Sequence, residues 1–237
     1  MFGPGLTGLT NLGNSCYMAS AVQGLFSLPA FQQRYLPTAT THWFMCNEPL
    51  PASCVDCQMH KLADGLLSGR YSLPRKGTPS TFAEQNPSDN SMPVPEFQEG
   101  IRPVTFKALI GKGHEEFSTM RQQDAEEFLS HLLKVLRQQA KKTGADPSTE
   151  PTEIFKFGME QRLQCNDCYR VRYRIDSQDL ISVPVPVQIK GKDAEGKEIY
   201  EDVKLSETMD MLTGAEALEY SCPACEKKVI ATKYVAL

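Results

Sequence analysis

Apolar residues recur at helical spacing in the front of the chain and alternate in the back. The first helical pattern covers about 15–28, with Tyr17, Val22, Leu25, Phe26 and Leu28 on it, after an irregular stretch at 1–14. Pro29 ends it, and Ala30 to Leu36 forms a short second helix. Thr38 to Ser53 shows no period and reads as irregular. From 57 to 68, Met59, Leu62, Ala63, Leu66 and Leu67 again fall at helical spacing, and Gly69 stops the run. Residues 71–100 are rich in Pro, Ser, Asn and Gly, which predicts an exposed, mobile loop. Pro103 opens a further helix as its first residue, with Phe106, Leu109 and Ile110 on one side. The strongest stripe lies at 122–140, where Ala125, Phe128, Leu129, Leu132, Leu133 and Leu136 share a face. Lys141 to Glu150, with Gly144 and Pro147, reads as a linker.

Beyond the linker the pattern changes to β-branched and aromatic residues with partial alternation. Strands are expected at 154–163, 169–175, 181–187, 200–205, 219–220 and 229–236, with one short helix at 206–212. Helices followed by strands predict an α+β arrangement in two parts, 1–150 and 151–237.

Composition narrows the class. The chain of 237 residues is 41% hydrophobic, enough for a sizeable core, and its net charge of −4 does not suggest nucleic acid as a partner. It holds no run of about 18 apolar residues, so no membrane span is expected, and its N-terminus lacks a signal-peptide pattern. A cytoplasmic or nuclear location is the expectation.

The eight cysteines are grouped: Cys16 alone, then Cys46, Cys54 and Cys57, then Cys165 and Cys168, then Cys222 and Cys225. Three C-x-x-C pairs suit metal ligation; a disulfide reading requires an oxidising compartment that nothing in the sequence supports. Cys165, Cys168, Cys222 and Cys225 read as two knuckles at strand turns, and four thiolates suit a closed, structural zinc site. His42, Cys46, Cys54 and Cys57 form a second candidate set of one imidazole and three thiolates, with His60 as an alternative ligand.

Cys16 has a different setting. A Gly/Asn-rich turn, Gly8 to Ser15, runs straight into it, and Asn14 or Ser15 can cap the helix that follows. A thiol in the first turn of a helix lies where N–H groups and the dipole favour negative charge, which promotes the nucleophilic thiolate. Asn11, five residues upstream, can offer its amide to an oxyanion formed at a carbonyl that Cys16 attacks. The turn chemistry alone leaves this open against a buried cysteine starting an ordinary core helix.

The run Gly8-Leu9-x-Asn11-x-Gly13-Asn14-Ser15-Cys16-Tyr17-Met18 resembles the Cys box of the ubiquitin-specific protease family of cysteine deubiquitinases. Arg121-Gln122-Gln123-Asp124-Ala125-x-Glu127-Phe128 resembles that family's Gln box, and Phe106 to Thr119 is similar to its isopeptidase T branch. The resemblance implies Cys16 as nucleophile and Asn11 as oxyanion-hole donor. Gln123 and Asp124 would contact the basic C-terminal tail of ubiquitin; the residues alone also allow simple helix capping by both. A papain-like helical thumb followed by zinc-stapled, β-rich fingers is implied, with the ubiquitin-binding palm incomplete.

The implied activity is thiol-dependent removal of ubiquitin from chains or conjugates, with unanchored polyubiquitin the expected substrate. In that family the catalytic His and its Asp or Asn partner come after the fingers, and the four histidines here match no such motif. The chain is therefore expected to be a fragment, itself inactive or very weak. The alternative is a non-catalytic, zinc-dependent ubiquitin-binding module.

Overall fold

The computed structural model describes residues 2–73, 75–76, 96–98, 100–146 and 150–237. The chain separates into two compact units, Met1–Ile154 and Phe155–Leu237.

The first unit is helical. Helix α1 (Cys16–Ser27) buries Tyr17, Met18, Val22, Leu25 and Phe26, and α2 (Pro29–Tyr35) follows directly, with Pro29 at its start. Helix α4 (Val55–Leu67) buries Met59, Leu62, Ala63 and Leu66, and α5 (Val104–Ile110) adds Phe106 and Ile110. Pro103 is the residue before α5, not its first turn. The long α6 (Ala125–Thr143) packs against α1 through Phe128, Leu132, Leu133 and Leu136. At that seam the Phe128 ring meets Tyr17 and Phe117 edge-on, with centroids 5.4 and 5.3 Å apart, a favoured aromatic geometry.

Helix α6 starts at Ala125, the first residue of its apolar stripe and not at 122, because Asp124 is its cap: Asp124 Oδ1 accepts from the N–H groups of Glu126 and Glu127 at 2.7 and 3.1 Å. It ends at Gly144, whose φ of 65° is the left-handed stop glycine favours. Glu126 and Glu127 in its first turn and Lys141 and Lys142 in its last complement the helix dipole.

One expectation is corrected here. Thr38 to Ser53 is not wholly irregular: it contains α3 (Ala39–Met45) and a 3-10 turn at Pro51–Ser53. The x3 spacing of His42 and Cys46 is a helical spacing, so it places both on one side of α3. The loop expected at 71–100 falls mainly outside the described residues; within it, β1 (Arg75–Lys76) pairs antiparallel with β2 (Glu96–Phe97).

The second unit holds an antiparallel sheet in the order β4-β3-β8-β7, built from β3 (Phe157–Cys165), β4 (Val171–Gln178), β7 (Glu216–Cys222) and β8 (Lys227–Ala236). A separate hairpin joins β5 (Ile189–Lys192) to β6 (Glu198–Tyr200), and α7 (Leu205–Thr213) precedes β7. Residues 181–187, expected as a strand, join no ladder among the described residues. Likewise 200–205 is divided: Tyr200 ends β6 and Leu205 begins α7. None of the helices among the described residues is long and apolar enough to cross a membrane.

Candidate functional site

The turn before α1 is organised by Asn11 and Ser15. Asn11 Oδ1 accepts from the N–H groups of Gly13 and Ser15, at 3.1 and 3.0 Å, and from the Ser15 hydroxyl at 3.1 Å. Ser15 Oγ in turn accepts from the Leu12 N–H at 2.8 Å. With its oxygen so used, Asn11 is left with its Nδ2 donor, which bonds to no described residue.

Ser15 stands at the cap position of α1, but neither it nor Asn14 caps the helix by its side chain. The Ser15 hydroxyl is spent on the turn, and Asn14 Nδ2 donates instead to the Met120 carbonyl at 3.1 Å. Cys16, the first residue of α1, is solvent-exposed and unpaired with other cysteines. The site thus holds a helix start without a side-chain cap, an exposed thiol on it and, five residues before it, an amide whose oxygen is fixed by the turn.

The residues of the second motif divide between roles. Gln122 lies on Cys16, with Oε1 and Nε2 each 3.3 Å from Sγ. Gln123 instead reaches the Glu116 carbonyl and Thr119 Oγ1, at 3.4 and 3.5 Å, and Asp124 caps α6. Gln122 was not singled out in the sequence because neighbouring glutamines have equal chemistry; only the turn before α6 decides which one faces the thiol.

No described histidine bonds Cys16. His131 Nε2 meets the Ile110 carbonyl at 2.9 Å, and His114 stacks on Phe117 with centroids 4.1 Å apart. His60 is buried against the Tyr35 carbonyl, and its burial lowers its pKa. That position also removes it from the ligand set, where it had been an alternative.

Two groups of side chains converge as metal ligands would. Cys165, Cys168, Cys222 and Cys225 form one, and His42, Cys46, Cys54 and Cys57 the other; in each, all ligand atoms lie within 4.8 Å of one another. A tetrahedral zinc with bonds of about 2.3 Å to sulfur requires sulfur–sulfur edges of about 3.8 Å. Cys165 to Cys225 measures 3.8 Å and Cys168 to Cys222 measures 3.7 Å. An imidazole ligand shortens its edges to about 3.5 Å. His42 Nε2 lies 3.2 Å from Cys57 Sγ and 3.6 Å from Cys54 Sγ, and Cys57 lies 3.6 Å from Cys46. Both donor sets therefore fit a divalent cation.

The two knuckles of the first group are built alike. In each, the residue after the second cysteine has positive φ, Tyr169 at 59° and Glu226 at 54°, and its N–H returns to the carbonyl of the first cysteine. Backbone N–H groups also tune the thiols. The N–H of Cys168 pulls Cys165 down to about 7, while Cys225, sharing hydrogen bonds with the other thiols, is pushed up to about 12. Burial pushes Cys57 up in the second group. A bound cation would deprotonate all of them.

The model of the family described as ubiquitin carboxyl-terminal hydrolase matches residues 7–228. Ubiquitin carboxyl-terminal hydrolase 14 of Schizosaccharomyces pombe is 42% identical over 237 residues, covering 100% of this chain and 29% of that protein. Ubiquitin carboxyl-terminal hydrolase 5 of Mus musculus is 43% identical over 188 residues, covering 79% of this chain and 20% of that protein. The chain thus spans under a third of the length of these relatives. Among solved structures, the SAGA DUB module Ubp8/Sgf11/Sus1/Sgf73 bound to monoubiquitin matches with a TM-score of 0.65 and 21% identity, covering 98% of this chain and 45% of that one. This last likeness is one of fold.

Proposed function

We propose that this chain, which belongs to the ubiquitin carboxyl-terminal hydrolase family, supplies the nucleophile and oxyanion site of a thiol-dependent deubiquitinase. Cys16 attacks the carbonyl of ubiquitin's last glycine, and the amine on the far side of that isopeptide or peptide bond leaves after taking up a proton. The oxyanion is held by Asn11 Nδ2 and by N–H groups at the start of α1, an acyl-enzyme forms, and water releases ubiquitin. The observation that carries this reading is the fixed Asn11 amide beside an exposed thiol on a helix start that no side chain caps. The thiol also needs a base and an orienting group. The resemblance assigns these to a later His and an Asp or Asn, so the test uses the full-length protein.

Gln123 and Asp124 stand at the entrance to α6, where Asp124 is exposed and offers a carboxylate to a basic tail. Unanchored polyubiquitin is the proposed substrate, supported by the motif-level likeness of Phe106 to Thr119 to the isopeptidase T branch. Zinc is the proposed cation of both thiol groups, in a structural role, since all four ligand positions come from the protein. A reducing cytoplasmic or nuclear compartment suits eight unpaired cysteines.

The deciding experiment is cleavage of unanchored diubiquitin by the full-length protein and its Cys16→Ala variant. Turnover lost with Cys16→Ala supports the proposal. Intact diubiquitin with both proteins, together with retained ubiquitin binding, would favour the non-catalytic module.

A further inference from the structure

Gln122 is not a loose surface side chain. The segment that carries it is tied down on both sides. Asn14, itself at a φ of 52°, donates from Nδ2 to the Met120 carbonyl at 3.1 Å. Lys107 Nζ donates to the carbonyls of Thr119 and Phe117, at 2.6 and 3.3 Å. Gln123 reaches back to Thr119 Oγ1. Gln122 is thereby held so that both atoms of its amide lie 3.3 Å from Cys16 Sγ.

An amide that straddles one sulfur offers it an acceptor and a donor together. That pairing suits S–H, which gives its proton to Oε1 and receives one from Nε2. A thiolate in the same place would face the lone pairs of Oε1 across the same distance. Exchanging the amide oxygen and nitrogen leaves the arrangement unchanged, so it does not depend on how the two were assigned. The amide also occupies one line of approach to the sulfur.

We propose that Gln122 is a positioning residue that covers Cys16 in the resting enzyme, its amide hydrogen-bonded to the sulfur until an entering acyl carbonyl displaces it. This rests on Cys16 being the nucleophile of the proposed reaction. It predicts that the resting thiol is less reactive than its exposure suggests.

The test is the rate of alkylation of Cys16 by iodoacetamide near neutral pH, read peptide by peptide by mass spectrometry on the 237-residue chain. Gln122→Ala and Gln122→Leu are both expected to raise the rate at Cys16 about fivefold, the scale of one modest hydrogen bond. Rates at the other cysteines stay as in the parent, which a general loosening of the fold would not allow. An unchanged or slower rate at Cys16 in both variants overturns the proposal. So does a parent-like rate in Gln122→Leu alone, which would make the cover steric and not hydrogen-bonded. Failure of the deubiquitinase reading would appear elsewhere, as diubiquitin left intact by the full-length protein, with the alkylation result standing.

Discussion

Ser15 holds Asn11 by two bonds to one oxygen: its N–H and its hydroxyl both donate to Asn11 Oδ1, at 3.0 and 3.1 Å. The serine is fully buried and also accepts from the Leu12 N–H. Replacing it by alanine strands that N–H and removes the one side-chain donor to Asn11 Oδ1, leaving the amide held by the backbone N–H groups of residues 13 and 15 alone. Ser15→Ala is expected to lower stability by about 1–3 kcal/mol, measured by urea denaturation, and to reduce kcat of the full-length protein.

Asn11→Asp separates the two ends of the amide. The aspartate keeps an acceptor for Gly13 and Ser15 and puts an oxygen where Nδ2 stood. Diubiquitin hydrolysis by the full-length variant is expected to fall about 10²–10³-fold in kcat, the scale of one lost oxyanion donor, with the melting temperature nearly unchanged. Unchanged kcat would remove Asn11 from the oxyanion site.

Asp124 serves α6 as a cap whatever else it does. Asp124→Asn preserves a cap and removes the charge, whereas Asp124→Ala removes both and is expected to cost about 0.5–2 kcal/mol. If the carboxylate receives a basic substrate tail, Asp124→Asn raises KM for ubiquitin substrates without a change in stability. An unaltered KM would leave Asp124 with its capping role alone.

Both thiol groups are expected to hold one zinc each, seen as two equivalents by atomic emission. Cys222→Ser should lose one equivalent and loosen the second unit; His42→Ala should lose the other. Because the ligands must be deprotonated, acidification favours release. Stability supplied by the metal is therefore present at neutral pH and lost as pH falls, and a circular-dichroism titration with and without chelator reads this sign directly.

Gly100 sets the turn that pairs Ile101 with the segment Gly8 to Thr10. Ile101 donates to the Gly8 carbonyl and accepts from the Thr10 N–H, both at 2.9 Å. Gly100 has a φ of 74°, and a Cβ there would lie 2.7 Å from Gly8 O. Gly100→Ala is expected to cost about 1–2 kcal/mol from its left-handed backbone alone and more from the clash. Hydrogen exchange at Thr10 and Ile101 should report the loosened bridge.

The stripe from Phe128 to Leu136 and the run from Tyr17 to Phe26 were legible because each must bury one face, and that requirement is written at helical spacing. The cysteine pairs were legible as ligands from their spacing. Helix α3 was not, because Trp43, Phe44 and Met45 are exposed and give no stripe. Residues 181–187 misled for the opposite reason: alternation is a property of one segment, while a strand also needs a neighbour. The contact between Gln122 and Cys16 joins residues 106 positions apart and depends on two turns meeting, which no local pattern encodes.

The sheet of the second unit has little apolar burial to define how its strands align. Val229 and Ala231 of β8 are buried, but β4 is exposed along most of its length. A sheet without a strong inner face is free to slip, and a slip of one residue turns every side chain over. Here Cys165 lies opposite Ala231 and Cys222 opposite Lys227, at the ends of hairpins whose tips share the four thiols. Once those tips are joined by a cation, β3 and β8 can pair in one alignment only. With a cation bound, the cluster would work as a pin through the end of the ladder, leaving the outward side chains of these strands free to vary without changing which residues face each other.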